Sequence, residues 1–310
     1  MEDNWGIIGH QKIIHFLKKS LEVNRLAHAY LFYGQESLGK TTVAEKFAEV
    51  LLKRPEAVAT DLYKVETLEG KKDIAIEQIR EWRSSLQLKP LHQGYKVGLI
   101  YGAEKLNKQS ANALLKTLEE PTPQTVIILI TSAWDRILPT IISRSQLIRF
   151  SPVNNQEIEE GLLAKNYPSI KVKNIVNLTG GYPGQIINFL ENEEDFLEYQ
   201  KFQKQAVSIL DSNMAERFLA IEKLLDSVKE FNKKTTLAFN FLKHFSKVFR
   251  GLLLQNYNLT NWQQSKNFKT IKDYSASELL QKLTKIQEAQ DQLLSNVQPR
   301  LVLENLFLNL

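Results

Sequence analysis

The segment Gly34-Gln35-Glu36-Ser37-Leu38-Gly39-Lys40-Thr41 fits the pattern G-x-x-x-x-G-K-[ST] without a substitution. No other stretch limits the possible fold as much. Glycines let the backbone turn sharply, so that successive N–H groups point at phosphate oxygens. Lys40 adds charge toward the outer phosphates, Thr41 adds a hydroxyl for magnesium, and the dipole of the following helix favours an anion. Such a cradle forms only between a strand and a helix. Both flanks comply: "AHAYLFYG" is apolar and aromatic, and "KTTVAEKFAEVLLKR" has helical spacing. The candidate nucleotide-binding residues are Gly34, Gly39, Lys40, Thr41 and Thr42, with ATP or ADP as a weakly held ligand.

The first half of the chain continues this alternation. Asp61 to Glu69 reads as a strand, and "DIAIEQIREWRSSLQL" as a helix opened by Asp73. Val97–Ile100 follows as a buried strand, then a helix over Lys108–Leu118 and the apolar run "TVIILITS". "LPTIISRSQLIRF" predicts a short helix and a closing strand. Strands alternating with helices imply a parallel sheet covered on both faces. Beyond Pro152 the spacing is helical throughout, with a break near 200–207. The expected organisation is an α/β nucleotide-binding-fold domain at 1–152, a three-helix lid at 153–205 and a helical domain at 206–310. Phe241, Phe245 and Phe249 recur every four residues in the last part, a stripe suited to a core or a subunit interface.

The chemistry that should accompany a phosphate loop is missing. Hydrolysis needs an acid at the end of the neighbouring strand to hold magnesium, and a group that positions water. After Val97–Ile100 stand Tyr101 and Gly102, which supply neither. Glu104 comes two residues later, at the expected start of the next helix and facing elsewhere; a shifted strand would make it the acid instead. Cysteine is absent, which excludes disulfides, thiolate zinc sites and cysteine nucleophiles and fits a cytoplasmic protein. The histidines His10, His15, His28, His92 and His244 lack ligand spacing, so packing or surface positions are expected and no metal site. No secretory leader is expected, and no apolar run reaches the roughly 18 residues of a membrane span. Forty basic against 35 acidic residues leave a net charge of +5, which permits contact with nucleic acid without requiring it.

Three segments together, "RLAHAYLFYGQESLGKTT", "YKVGLIYGAEKLNKQSANALLKTLEEP" and "LPTIISRSQLIRF", resemble the AAA+ clamp-loader subunits of bacterial DNA polymerase III. The likeness is nearest to the delta-prime type and extends to "NVQPRLVLENLFLNL" at the end of the chain, similar to that family's collar domain. The resemblance implies a five-subunit ring with gamma/tau-type and delta-type partners, which opens the sliding clamp and places it on primer-template DNA. It implies an AAA+ fold with lid and collar, a degenerate acid pair at Tyr101 and Gly102, and no intrinsic ATPase activity. Arg144, in Ser143-Arg144-Ser145, stands where the family's Ser-Arg-Cys motif sends an arginine finger to a neighbour's ATP. A surface arginine paired with a carboxylate is the other reading of Arg144. The sequence departs from the family pattern in three places. "LLKRPEAVATDLYK" lacks the usual zinc cysteines, Ser145 replaces the motif's cysteine, and Gly184 stands where active subunits carry a nucleotide-sensing arginine. A catalytic gamma/tau-like subunit and a stand-alone P-loop ATPase remain the alternatives.

Overall fold

The computed structural model describes residues 4–53, 58, 60–90, 94–257 and 274–309. His92 and residues 54–57 and 59 of the segment without zinc cysteines lie outside the described residues. The chain divides into two compact units, Met1–Tyr167 with Gly181–Gln185, and Pro168–Gly180 with Ile186–Leu310.

In the first unit, α1 (Gln11–Glu22), β1 (Ala29–Tyr33), α2 (Lys40–Leu52), β2 (Leu62–Val65), α3 (Ile76–Gln87) and β3 (Lys96–Tyr101) come in order. They are followed by α4 (Lys108–Glu119), β4 (Thr125–Thr131), α5 (Pro139–Ile142), β5 (Gln146–Arg149) and α6 (Asn155–Ala164). The five strands form one sheet in the order β2-β3-β4-β1-β5, every pair parallel. Residue alternation fills both faces. Tyr30, Phe32, Val126, Ile128 and Ile130 join the core beneath α1 and α2, whereas Ala29, Leu31, Ile127 and Leu129 join the opposite one. All of β4 is buried, as expected of a parallel strand covered on both sides. Gly98 lets α3 close on the sheet: a Cβ there would lie 2.3 Å from Trp82 and 3.0 Å from Leu86. The α/β fold predicted from the alternating pattern is the fold observed.

Two local expectations are corrected. The strand read over Asp61–Glu69 pairs only at Leu62–Val65. Asp73 does not open the next helix, because Ile74 bridges Leu106 and donates its N–H to Lys105 at 2.8 Å. Ala75 is the N-cap instead, its N–H donated to Gln78 Oε1 at 3.0 Å.

The second unit is helical among its described residues: α7 (Ser169–Thr179), α8 (Pro183–Glu191, whose first turn belongs to the first unit), α9 (Glu193–Asp211), α10 (Met214–Asp226), α11 (Phe231–Asn256), α12 (Ala276–Leu294) and α13 (Pro299–Leu308). The phenylalanine stripe of α11 is core: Phe241, Phe245 and Phe249 are buried, and the first two pack against Phe307 of α13.

Candidate functional site

The phosphate loop leaves β1 at Gly34, whose φ of 144° few side chains tolerate. A Cβ there would lie 2.4 Å from the Phe150 carbonyl, because Phe150 donates its N–H to Tyr33 and draws the chain after β5 close. Gly39 caps α2 with φ of 90° and offers no side-chain acceptor, so the first amides of the helix keep the orphan donors that phosphate binding uses. Thr41 and Thr42 are exposed on this first turn. These features fit a nucleotide's phosphates.

The carbonyls of Gly34, Gln35, Ser37 and Leu38 are engaged within the chain. Lys40 is buried and donates to Gly34 O at 2.7 Å and Gln35 O at 2.6 Å. Gly184 donates its N–H to Ser37 O at 2.9 Å, and His10 Nε2 donates to Leu38 O at 2.6 Å. The Tyr182 hydroxyl donates to the Gln35 side chain. His10 is a packing residue as expected, set edge-on to Phe150 at 4.8 Å, and burial lowers its pKa. What the sequence did not reveal is that it packs on the loop. Gly184 has a steric reason to lack a side chain, since a Cβ would sit 3.0 Å from Ser37 O.

Tyr101 closes β3, where a metal-binding acid would stand, and its hydroxyl donates to Glu45 Oε1 of α2 at 2.7 Å. Lys64 pairs with the same carboxylate oxygen at 2.9 Å. Burial alone would raise the Glu45 pKa, but the bonds from Lys64 and Tyr101 outweigh it and hold the carboxyl low. Burial and the adjacent Glu45 push the Tyr101 phenol up, so it remains a neutral donor. Gly102 is left-handed, with φ of 64°.

The placement expected for Glu104 is corrected: it lies in a single 3-10 turn, Ala103–Lys105, rather than at the start of α4. Its Oε1 accepts from the Ser132 hydroxyl at 2.9 Å, just after β4, and its buried Oε2 has no hydrogen-bond partner among the described residues. Burial lowers the Lys40 pKa to about 8, and the charges of Glu36 and Glu104 oppose that fall. The strand itself was read correctly, so Glu104 reaches the site through the turn and not through a shift in register.

Arg144 follows α5 at the surface. Its guanidinium donates to Thr140 O at 3.1 Å and pairs with Glu119 Oε1, at the end of α4, at 2.8 Å. The pairing with a carboxylate therefore exists in the single chain. Arg144 is about a third and Glu119 about half exposed to solvent, so the pair is readily exchanged. Ser145 donates to Ile141 O at 2.9 Å, closing the turn where the resemblance would place cysteine. Arg144 joins none of the loop's contacts described above.

The family model described as DNA polymerase III, delta subunit, matches residues 9–154. The DNA polymerase III delta-prime subunit of Bacillus subtilis is 28% identical over 96% of this chain and 95% of its own length. Over nearly its whole length the chain is thus similar to a delta-prime subunit of DNA polymerase III. The delta-prime subunit of Pseudomonas aeruginosa is 33% identical over 51% of the chain and 54% of its own length. A gamma-subunit-related protein of Thermotoga maritima shares the fold, with a TM-score of 0.52 and 20% identity over 94% of this chain and 97% of that one. The similarity to the Bacillus subtilis subunit thus reaches past the sheet into the helical part, where no catalytic motif was legible. Among the described residues no helix is long and apolar enough to cross a membrane.

Proposed function

We propose that this chain is the non-hydrolysing stator of a cytoplasmic clamp loader, and that it supplies Arg144 to the ATP of a neighbouring gamma/tau-type subunit. In this reading it assembles with gamma/tau-type and delta-type subunits, and meets the sliding clamp and primer-template DNA through the complex. Residues 1–152, 153–205 and 206–310 serve as nucleotide-fold, lid and collar parts. The phosphate loop holds ATP or ADP weakly, and no zinc is bound.

The observation that carries the reading is the commitment of the acid positions to another task. Tyr101 ties β3 to α2 through Glu45, and Gly102 has a backbone that disfavours any side chain. A magnesium-dependent hydrolase would need carboxylates there. Arg144 is partly exposed just beyond the end of a short helix and held by contacts weak enough to exchange for a phosphate. The rival reading, a catalytic gamma/tau-like or stand-alone ATPase, draws on Glu104, whose charge is felt by the loop lysine.

The deciding experiment compares clamp- and DNA-stimulated hydrolysis by reconstituted complexes containing wild-type chain, Arg144→Ala or Arg144→Lys at equal assembly. Fingers of this kind contribute about 10³–10⁵ in rate at the site they serve. Both variants should therefore lower turnover by the share of one site, with lysine rescuing poorly because it lacks the planar fork. An unchanged rate in both would reduce the chain to a scaffold. Hydrolysis by the isolated chain, abolished by Lys40→Ala, would favour the rival.

A further inference from the structure

We infer that Glu104 is a specificity-determining residue, one that biases the phosphate cradle toward nucleoside diphosphates and against triphosphates. The inference rests on the proposed weak nucleotide binding at the loop and names which nucleotide that site takes.

In a loop of this type the backbone amides hold the inner phosphates, while the lysine and the metal serve the outer ones. The outer end therefore lies over the C-terminal ends of the strands beside β1. In this sheet β4 lies next to β1, and β3 next to β4. Glu104 follows β3 in the 3-10 turn, and Ser132 follows β4 and holds Glu104 Oε1 at 2.9 Å. The second oxygen is buried and unpartnered among the described residues, so its negative charge is not spent on a neighbouring donor. Lys40, the cation meant for the outer phosphates, feels that charge as well as that of Glu36.

Glu104 thus sets its carboxylate beyond the end of β3, on the side where the outer end of the nucleotide would lie. In an ordinary loop of this kind, magnesium screens the acid at the strand end from the nucleotide. Here Tyr101 and Gly102 supply no metal ligand, so the carboxylate acts on the γ-phosphate as a bare like charge. The inner phosphates, cradled at the start of α2, do not reach as far. A diphosphate is accepted and a triphosphate is repelled. Two like charges a few ångströms apart in a half-buried site shift binding by about ten- to a hundredfold.

Calorimetry on the isolated chain, with ADP and ATP at millimolar concentration with and without magnesium, reads this directly. ADP should bind about tenfold or more tighter than ATP, and magnesium should change neither value much. Glu104→Gln, which keeps the shape and the Ser132 bond, should raise ATP affinity to that of ADP and leave ADP nearly unchanged. Ser132→Ala, which frees the carboxylate to turn away, should narrow the preference. Thermal melts establish that each variant is folded. Equal binding of ADP and ATP by the wild type, or a preference that survives in Glu104→Gln, overturns the inference while sparing nucleotide binding itself. A loss of magnesium-dependent ATP binding in Glu104→Gln would make the residue a metal ligand and also overturn it. If neither nucleotide binds wild type or variant, the nucleotide reading falls and this inference with it. If ATP binds only the variant, exclusion by Glu104 is upheld in its strongest form.

Discussion

Gly102 turns through φ of 64° where a catalytic acid would need a side chain, and Tyr101 before it is bonded to Glu45. Restoring the acids should therefore fail to restore hydrolysis. In the double variant Tyr101→Asp/Gly102→Glu, a side chain in the left-handed region costs about 1–2 kcal/mol. Loss of the Tyr101 hydroxyl bond costs about 1 kcal/mol more. The expected outcome is no ATP turnover in a phosphate-release assay, with a urea midpoint clearly below wild type. Turnover in the double variant would mean that the two substitutions alone silence the site. The residue identities at 101 and 102 were legible in the sequence, and so was the lack of carboxylate chemistry. The bond to Glu45 was not, because it joins residues 56 positions apart.

Elements α9 and α11 meet around His244, a residue that drew only a packing or surface expectation. Its ring stacks on Phe202 at 5.1 Å and meets Tyr199 edge-on at 5.3 Å, and its Nδ1 is buried without a hydrogen-bond partner among the described residues. Burial lowers its pKa to about 4, and Lys247 and Lys243 push in the same direction. The folded protein therefore keeps this imidazole neutral where the unfolded chain protonates it. Stability should be unaffected above the unfolded pKa, near 6.5, and fall as the pH drops toward 4, by about 1.4 kcal/mol per pH step once well below 6.5. Urea unfolding at about pH 7 and about pH 5 measures the slope, and His244→Phe should flatten it relative to wild type. Equal slopes would show that the ring is solvated or satisfied in the folded state. At this scale helical spacing located α11 and its phenylalanine face well. It misplaced the start of α3, since a bridge from Ile74 to Leu106 competes with Asp73 for the turn.

For the whole molecule, the proposed role requires that a single chain be inert. The isolated protein should sediment as a monomer or weak dimer and turn over no ATP, and it should enter a larger particle only when gamma/tau-type and delta-type subunits are added. A stable homopentamer would point to a ring made of this chain alone and favour the stand-alone ATPase.

The sequence by itself determined the strand–loop–helix cradle from Gly34 to Thr42, the parallel sheet and the exposed arginine after α5. Each depends on residue type and short-range periodicity, which local sterics and burial translate directly into structure. It also determined the missing acids, since neither Tyr nor Gly carries the carboxylate that magnesium-dependent hydrolysis uses there. Only the tertiary structure decided how the cradle is held. His10 and Gly184 close on the loop's carbonyls from separate segments, and Glu104 and Ser132 meet from the ends of two different strands. The contact of Glu104 with Ser132 follows from strand order, with β4 beside β3, and no local pattern carries that order. The direction in which Glu104 points was settled by the 3-10 turn after Gly102, and that turn exists because a glycine there accepts a left-handed backbone.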